Sequence, residues 1–388
     1  MLSLTPAELN LLRESAFART EAVVELAQRI CAVPAPTGSE RERAEFVASL
    51  LRERGYAPEI DEIGNVYIRR GKKGRGPLLM LLAHTDTVFP AGTPITIRRE
   101  GDSVRGPSIG DNSIGVAGMI SLLDILDALG WETAADILAV ADVGEEGLGD
   151  LRGARTAVAL YRQELGAVIA IDGLLGYIVN AAVGSRRWRI TVRGPGGHSF
   201  GSFGTPSAIH GLGRIIVALA EMQVPREPKT TFNVGVIEGG TSVNTIAPSA
   251  SALLDLRSTD TTTLNRLTEQ AREIVMRAAG PGLSVTIEVL GERPAGRRSE
   301  ADPLVQLAAR ALDWLDITPS FVASSTDANI PISLNIPAVC VGVTRGDKAH
   351  TLDEYIQVPP IGKGLAQITR LCVETCTLIT HSPGLFTA

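Results

Sequence analysis

A chain of 388 residues, 44% hydrophobic and 21% charged, is too long for a single core and too apolar to stay disordered, so two packed units are expected. Its 37 Lys and Arg against 43 Asp and Glu leave a formal charge of −6, which disfavours nucleic acid and anionic membranes as partners. The four cysteines, Cys31, Cys340, Cys372 and Cys376, show no Cys-x-x-Cys spacing and read as buried, reduced side chains. Glu8, Arg13, Glu14, Arg19, Glu21 and Glu25 interrupt the apolar pattern of the first thirty residues, so no secretory or membrane-spanning segment is read there and the expectation is a cytoplasmic protein.

Thr5-Pro6-Ala7-Glu8 joins a capping hydroxyl, a proline at the first helical position and a glutamate three residues after the cap, predicting one helix to about Cys31. Ser39 and Glu42 repeat the capping-box spacing, and Phe46, Leu50 and Leu51 supply the apolar stripe of a second helix ending at Gly55. Apolar runs then alternate with helices: strands over 77–83, 135–141 and 167–171, helices over 112–129 and 151–165. That alternation predicts α/β layers on a mixed, largely parallel sheet. From Arg186 to about Leu290 the pattern becomes strand (188–192), helix (206–222), strand (231–237), strand (250–257), helix (264–278) and strand (283–289), the order of a ferredoxin-like α+β unit. Beyond Pro294, a helix over 303–315 capped by Asp302, a strand over 338–343 and a helix over 361–379 return to the first style. The expected organisation is a discontinuous α/β domain, residues 1–184 and 293–388, carrying an inserted domain at 185–292.

Of the five histidines, His84 and His350 fall at or near strand ends, where open α/β sheets place ligands. Asp86 follows His84 by two residues, and in an extended segment the two side chains share a face, so Asp86 can accept the second imidazole N–H and orient a metal-binding ring; a surface pair is the plain alternative. Asp111 sits in a glycine-rich loop feeding a helix, as a ligand or as an N-cap. Glu145 and Glu146 are neighbours flanked by Gly144, Gly147 and Gly149; they repel unless a cation neutralises one or solvent bathes both. Asp172 ends the apolar run 167–171 and reads equally as a turn residue, and His350 equally as a solvated loop residue. All of these groups fall at the carboxyl ends of predicted strands, or in the loops after them, in one domain. Two imidazoles, His84 and His350, with three carboxylates, Asp111, Glu146 and Asp172, suit two divalent metals with Asp111 bridging and Glu145 left unligated as a base. Metal coordination lowers the pKa of bound water to about 7 in favourable cases, which supplies hydroxide near neutral pH.

The ordered segments His84-Thr-Asp86-Thr, Gly110-Asp111-Asn112, Glu145-Glu146-Gly, Ile171-Asp172-Gly and His350-Thr-Leu-Asp-Glu resemble the M20 metallopeptidases, the group containing peptidase T, glutamate carboxypeptidase and aminoacylase. The resemblance covers nearly the whole chain. It implies two zinc ions, or cobalt or manganese in their place, bridged by Asp111, one completed by His84 and Asp172 and the other by Glu146 and His350. Glu145 is then the general base, Asp86 the carboxylate behind His84, and Asp172 the ligand choice of the peptidase T and glutamate carboxypeptidase branches. The insert would be a lid that makes a homodimer, with His198 of Gly194-Pro195-Gly196-Gly197-His198-Ser199 reaching the partner's site to stabilise the tetrahedral oxyanion; without the resemblance His198 is a hairpin-loop residue. Asn244 and Arg257 match substrate-binding positions, and an arginine there would grip a carboxylate with two hydrogen bonds. The segment Ser324-Ser325-Thr326-Asp327-Ala328-Asn329 keeps the aspartate of a Gly-Gly-Ser-Asp-type motif but replaces its glycines with hydroxyl residues, leaving Asp327 as the candidate contact to a substrate's terminal group. The implied activity is hydrolysis of amide bonds in short peptides by an exopeptidase. An N-acyl-amino-acid deacylase and a catalytically silent small-molecule-binding homologue are the alternatives.

Overall fold

Thr5 accepts the Glu8 N–H, and the Glu8 carboxylate accepts the Thr5 N–H at 2.7 Å, so the capping box starts the helix Pro6–Ala18. The computed structural model describes residues 4–71 and 77–381. This first helix does not continue to Cys31. Arg19, at φ −96° and ψ 1°, interrupts it, and a second helix, Thr20–Cys31, follows. The Arg19 guanidinium turns back onto the Ser15 carbonyl and hydroxyl, and the Thr20 hydroxyl donates to the Phe17 carbonyl, so side chains occupy carbonyls at the break. Ser39 does not cap the next helix either. That helix is Arg41–Arg52, and it is preceded by Glu40, whose buried carboxylate accepts the Gly38 N–H at 2.8 Å and pairs with Arg152.

The chain divides into two units, one of Met1–Ala182 with Arg297–Ala388 and one of Val183–Gly296. In the larger unit a mixed sheet runs in the order Glu59–Ile60, Val66–Arg70, Ile137–Asp142, Leu78–His84, Leu165–Ile171, Ala338–Val341 and Tyr177–Ala182, with Ser320–Ser324 also paired to the last. The strands Ile137–Asp142, Leu78–His84, Leu165–Ile171 and Ala338–Val341 are mutually parallel. Every residue of Leu78–His84 is buried, as expected of a continuous apolar run in a sheet covered on both faces. Parallel pairing brings four carboxyl ends to one edge, and with them the loops that begin at Thr85, Val143, Asp172 and Gly342.

The helix Ile114–Ala128 is apolar around most of its surface; with the preceding turn it is long and apolar enough to cross a membrane, but 83% of that stretch is buried, which marks a core helix. It packs so closely on the sheet that a Cβ at Gly115 would lie 2.5 Å from the Ile171 carbonyl oxygen. A small antiparallel sheet of Gly346–Asp347, Tyr355–Gln357, Ser103–Arg105 and Arg98–Glu100 was not expected from sequence, its strands being too short and polar to show a period.

The smaller unit is a four-stranded antiparallel sheet in the order Thr230–Gly239, Ser249–Ser258, Gly184–Arg193 and Ser284–Arg293. Ser249–Ser258 alternates residue by residue between half-buried and buried, so one face packs onto the helices Ala208–Ala220 and Thr261–Ala278. Trp188, Ile190, Leu254, Leu212 and Leu267 are among the residues of its core. This is the β-α-β-β-α-β order, with bounds within a few residues of those read from the alternation.

Candidate metal centre

His84 ends its strand, Asp172 follows Leu165–Ile171, and Glu145 and Glu146 lie in the loop after Ile137–Asp142. Asp111 occupies a wide turn, Ile109–Ser113, with non-helical φ −123° and ψ 87°, so it is not the N-cap of the helix that follows. His350 sits at φ 67° in the loop between Gly346–Asp347 and Tyr355–Gln357. Asp111 faces one imidazole with each oxygen: Oδ1 is 3.0 Å from His84 Nε2 and Oδ2 is 3.0 Å from His350 Nε2. Glu146 Oε1 lies 3.1 Å from the same His350 nitrogen. Two groups, His84 with Asp111 and Asp172, and Asp111 with Glu146 and His350, can each offer three ligand atoms within 4.8 Å of one another; His84, Glu145 and Glu146 form a third.

The protein's own charges leave this cluster short of positive charge. Burial opposes ionisation of Asp111, yet hydrogen bonds from His350 and His84 hold its carboxyl well below the usual range. Burial and the charge of Asp111 push Asp172 up to about 6. Hydrogen bonding to Asp111 and Glu146 raises His350 to about 10, and His84 is raised despite its burial by bonds to Asp111 and Asp86. Protons on two imidazoles thus sit among three carboxylates where divalent cations would do the same neutralising work, so this donor set of oxygen and imidazole nitrogen fits such ions.

Asp86 has a second task beside the one expected of it. Its carboxylate accepts the N–H groups of Glu145 and Glu146, each at 2.9 Å, and the Thr37 hydroxyl at 2.8 Å. His84 Nδ1 is 3.5 Å from Asp86 Oδ1 and 3.2 Å from the Asp86 carbonyl oxygen, so Asp86 stands behind His84 and fixes the glutamate pair as well. Gly144, at φ 72°, makes that turn, and a Cβ there would meet Arg152 Nη1 at 2.2 Å.

Glu354 is a supporting residue that the sequence did not single out. It is 2% exposed and accepts the N–H groups of Ser108 at 3.2 Å, Gly110 at 2.6 Å and Asp111 at 2.7 Å. Burial and the charge of Asp111 push its carboxyl up to about 7. Arg43, also buried, donates to the Val33 carbonyl at 2.7 Å and to that of Thr85, the residue after His84, at 2.9 Å. An arginine among the buried positions of a helix was the signal available for it.

Asp327, the expected contact to a substrate's terminal group, lies buried. It is 3% exposed, and its carboxyl faces that of Asp142; burial raises both, Asp142 to about 7. Within the smaller unit, His198 and Asn244 come together: Gly197–His198 pairs with Thr245–Ile246, and the Ser199 N–H donates to the Asn244 carbonyl at 2.9 Å. His198 Nδ1 accepts the N–H groups of Phe200 and Gly201 at 3.3 and 3.2 Å, which leaves the proton on Nε2 as an outward donor. Arg257 is not part of that tip. It lies near the far end of Ser249–Ser258, about 26 Å along the strand from Ser249 at ~3.3 Å per residue, with its guanidinium on Asp255 at 2.6 Å.

Residues 180–282 match the family described as Peptidase dimerisation domain (M20), and residues 65–180 match Peptidase family M28. A protein named putative succinyl-diaminopimelate desuccinylase, from Mycobacterium tuberculosis, is 27% identical over 368 residues, covering 90% of this chain and 96% of that protein. The cytosol non-specific dipeptidase of Escherichia coli is 24% identical over 348 residues, 80% of this chain and 69% of its own. Among solved structures, the aminopeptidase PepT of Bacillus cereus superposes with a TM-score of 0.75 at 24% identity, over 92% of this chain and 99% of that one. The M28 match stops where the insert begins, the dimerisation-domain match falls on the insert, and the likeness to the desuccinylase and to PepT covers both units. The chain is therefore a metal-dependent hydrolase of amide bonds that is similar to the M20 metallopeptidases.

Proposed function

We propose that this chain is a two-metal exopeptidase of short peptides, working as a homodimer in the cytoplasm. The observation that carries the reading is Asp111, whose two oxygens each meet a different imidazole at 3.0 Å, as a ligand bridging two ions would. His84, Asp111 and Asp172 would hold one divalent ion, and Asp111, Glu146 and His350 the other, with zinc first and cobalt or manganese as substitutes. Such ions, when bound, supply Lewis acidity that polarises an amide carbonyl and acidifies water. Glu145, 5% exposed and outside both Asp111 groups, takes the proton from the attacking water and delivers it to the leaving nitrogen. Asp86 keeps it in place through the 2.9 Å bond to its N–H.

His198, with Nε2–H outward, would donate to the oxyanion of the partner subunit's site, and Asn244 beside it would bind the same substrate. The position of Arg257, far along the strand from that tip, supports its serving a different part of the substrate from the pair His198 and Asn244. Four buried free cysteines fit a reducing compartment. Deacylation of N-acyl amino acids is the second reading, favoured by the relative named for desuccinylation.

A panel of di- and tripeptides beside N-acetyl and N-succinyl amino acids, assayed with zinc, cobalt, manganese or chelator, tests the reading. The expected result is metal-dependent release of one terminal residue from a tripeptide. No turnover on any of them with metals bound would leave a silent binding homologue as the better account.

A further inference from the structure

We propose that Arg345 selects substrates bearing a carboxylate, gripping it at the rim of a small cavity that shares its floor with the metal centre. The inference rests on the hydrolase reading of that centre and narrows its substrate class. The cavity has a volume of about 180 Å³; Asp111 and Asp172 line it, Leu174 and Tyr355 contribute apolar wall, and Arg345 and Lys348 also line it. It is smaller than the roughly 300 Å³ at which sites for drug-sized ligands begin, so it suits one side chain or short acyl group rather than a whole peptide.

The loop that carries Arg345 is built to hold it in place. The Gln357 N–H donates to the Arg345 carbonyl at 2.8 Å, the Leu175 N–H donates to the Thr344 carbonyl at 2.8 Å, and Gly346 pairs with Ile356 across the small sheet. The guanidinium itself has no hydrogen-bond or ion-pair partner among the described residues. Its neighbours are differently placed. Lys348 Nζ lies 4.0 Å from Asp353, and the Asp347 carboxylate is turned back to accept the Lys348 N–H at 2.7 Å. Asp111 and Asp172, once engaged as ligands, add no free negative charge to the cavity, and Glu354, which also lines it, spends its carboxylate on three backbone N–H groups. An uncompensated guanidinium beside an apolar wall therefore matches a substrate whose carboxylate is separated from the scissile carbonyl by two or three atoms, and the planar fork can hold that carboxylate with two hydrogen bonds. The carboxylate can belong to an acidic acyl group, to an acidic side chain or to a peptide's own terminus.

The test uses the zinc-loaded full chain. Calorimetry compares glutarate with butyrate as ligands of the wild type, Arg345→Gln and Arg345→Lys. Kinetics compare substrate pairs that differ only in the charge: N-succinyl against N-butyryl alanine, Glu-Ala against Gln-Ala, and Ala-Ala against its amide. The wild type should prefer glutarate, and the charged member of at least one pair, by about tenfold, the lower end for a charge-assisted hydrogen bond; the pair affected identifies the source of the carboxylate. Arg345→Gln should abolish the preference through KM rather than kcat, and Arg345→Lys should keep part of it. A wild type indifferent to charge, or a Gln variant that keeps the preference, overturns the assignment. Hydrolysis of the pairs without a charge preference would refute the role of Arg345 and leave the hydrolase reading standing. Arg345-dependent glutarate binding with no hydrolysis of any amide would do the reverse.

Discussion

Glu354 offers a direct test of how the bridging aspartate is held. Its Oε1 accepts from Gly110 and Asp111 at 2.6 and 2.7 Å, and Oε2 accepts from Ser108 at 3.2 Å, with 2% of the residue exposed. Glu354→Ala strips the acceptor from three backbone N–H groups, each costing about 1–3 kcal/mol if left buried and unpaired. Relief of the repulsion with Asp111 and entry of water offset part of this, so the expected loss is about 3 kcal/mol. Glu354→Gln keeps an oxygen at the Oε1 position and loses only the longest bond, for an expected loss of about 1 kcal/mol. Because Oε1 fixes the backbone of Asp111, the Ala variant should also bind metal about 10- to 100-fold more weakly.

Urea denaturation in chelator, with separate zinc titrations, measures both effects. The carboxyl is raised from 4.5 to about 7, so the folded wild type binds more protons than the unfolded chain between those values, and its stability should fall as pH rises across that window. Glu354→Gln should lack this slope. A loss below about 0.5 kcal/mol in the Ala variant, no more than a surface substitution gives, would refute the reasoning. Equal losses in the two variants would show that charge, not acceptor geometry, is what the loop requires.

Glu145→Gln should abolish turnover while metal content stays that of the wild type; loss of a metal instead would mean that Glu145 and Glu146 exchange roles, an option left by the His84, Glu145 and Glu146 grouping. Because His350 is raised from 6.5 to about 10, its proton must leave before a cation binds, so metal affinity should rise about tenfold per pH unit across neutrality for each proton displaced; a flat profile would contradict this. In chelator, the stabilisation from that same histidine should be complete below pH 6.5 and lost as pH rises through about 10, a loss absent from His350→Ala. Mixing His198→Ala subunits with Glu145→Gln subunits should restore part of the activity, since a donor acting across the dimer gives the heterodimer one intact site; if mixing restores nothing, the donor acts within its own chain.

Local chemistry made much of this molecule readable from the sequence. The Thr5 and Glu8 capping box, Asp302 before Pro303, and the strand-helix alternation of the insert each depend on residues a few positions apart, and each forms as expected. His84 and Asp172 could be singled out because an apolar run ending in a ligating side chain is itself a local pattern, and the structure gathers them with the loop residues Asp111, Glu146 and His350. The break at Arg19 and the failure of Ser39 to cap show where a local rule yields, in one case to side chains that take helix carbonyls and in the other to a buried Glu40 carboxylate paired with Arg152. What only the tertiary structure decides is the support behind the ligands. Glu354 meets Ser108, Gly110 and Asp111 across 243 to 246 residues of chain, and Asp86 meets the Glu145 and Glu146 N–H groups across 59 and 60. The burial that turns Asp327 toward Asp142 has the same origin. Neither periodicity nor spacing encodes such pairings, because a buried carboxylate is tolerated only where folding supplies partners for it, and those partners are set by strand order in the sheet.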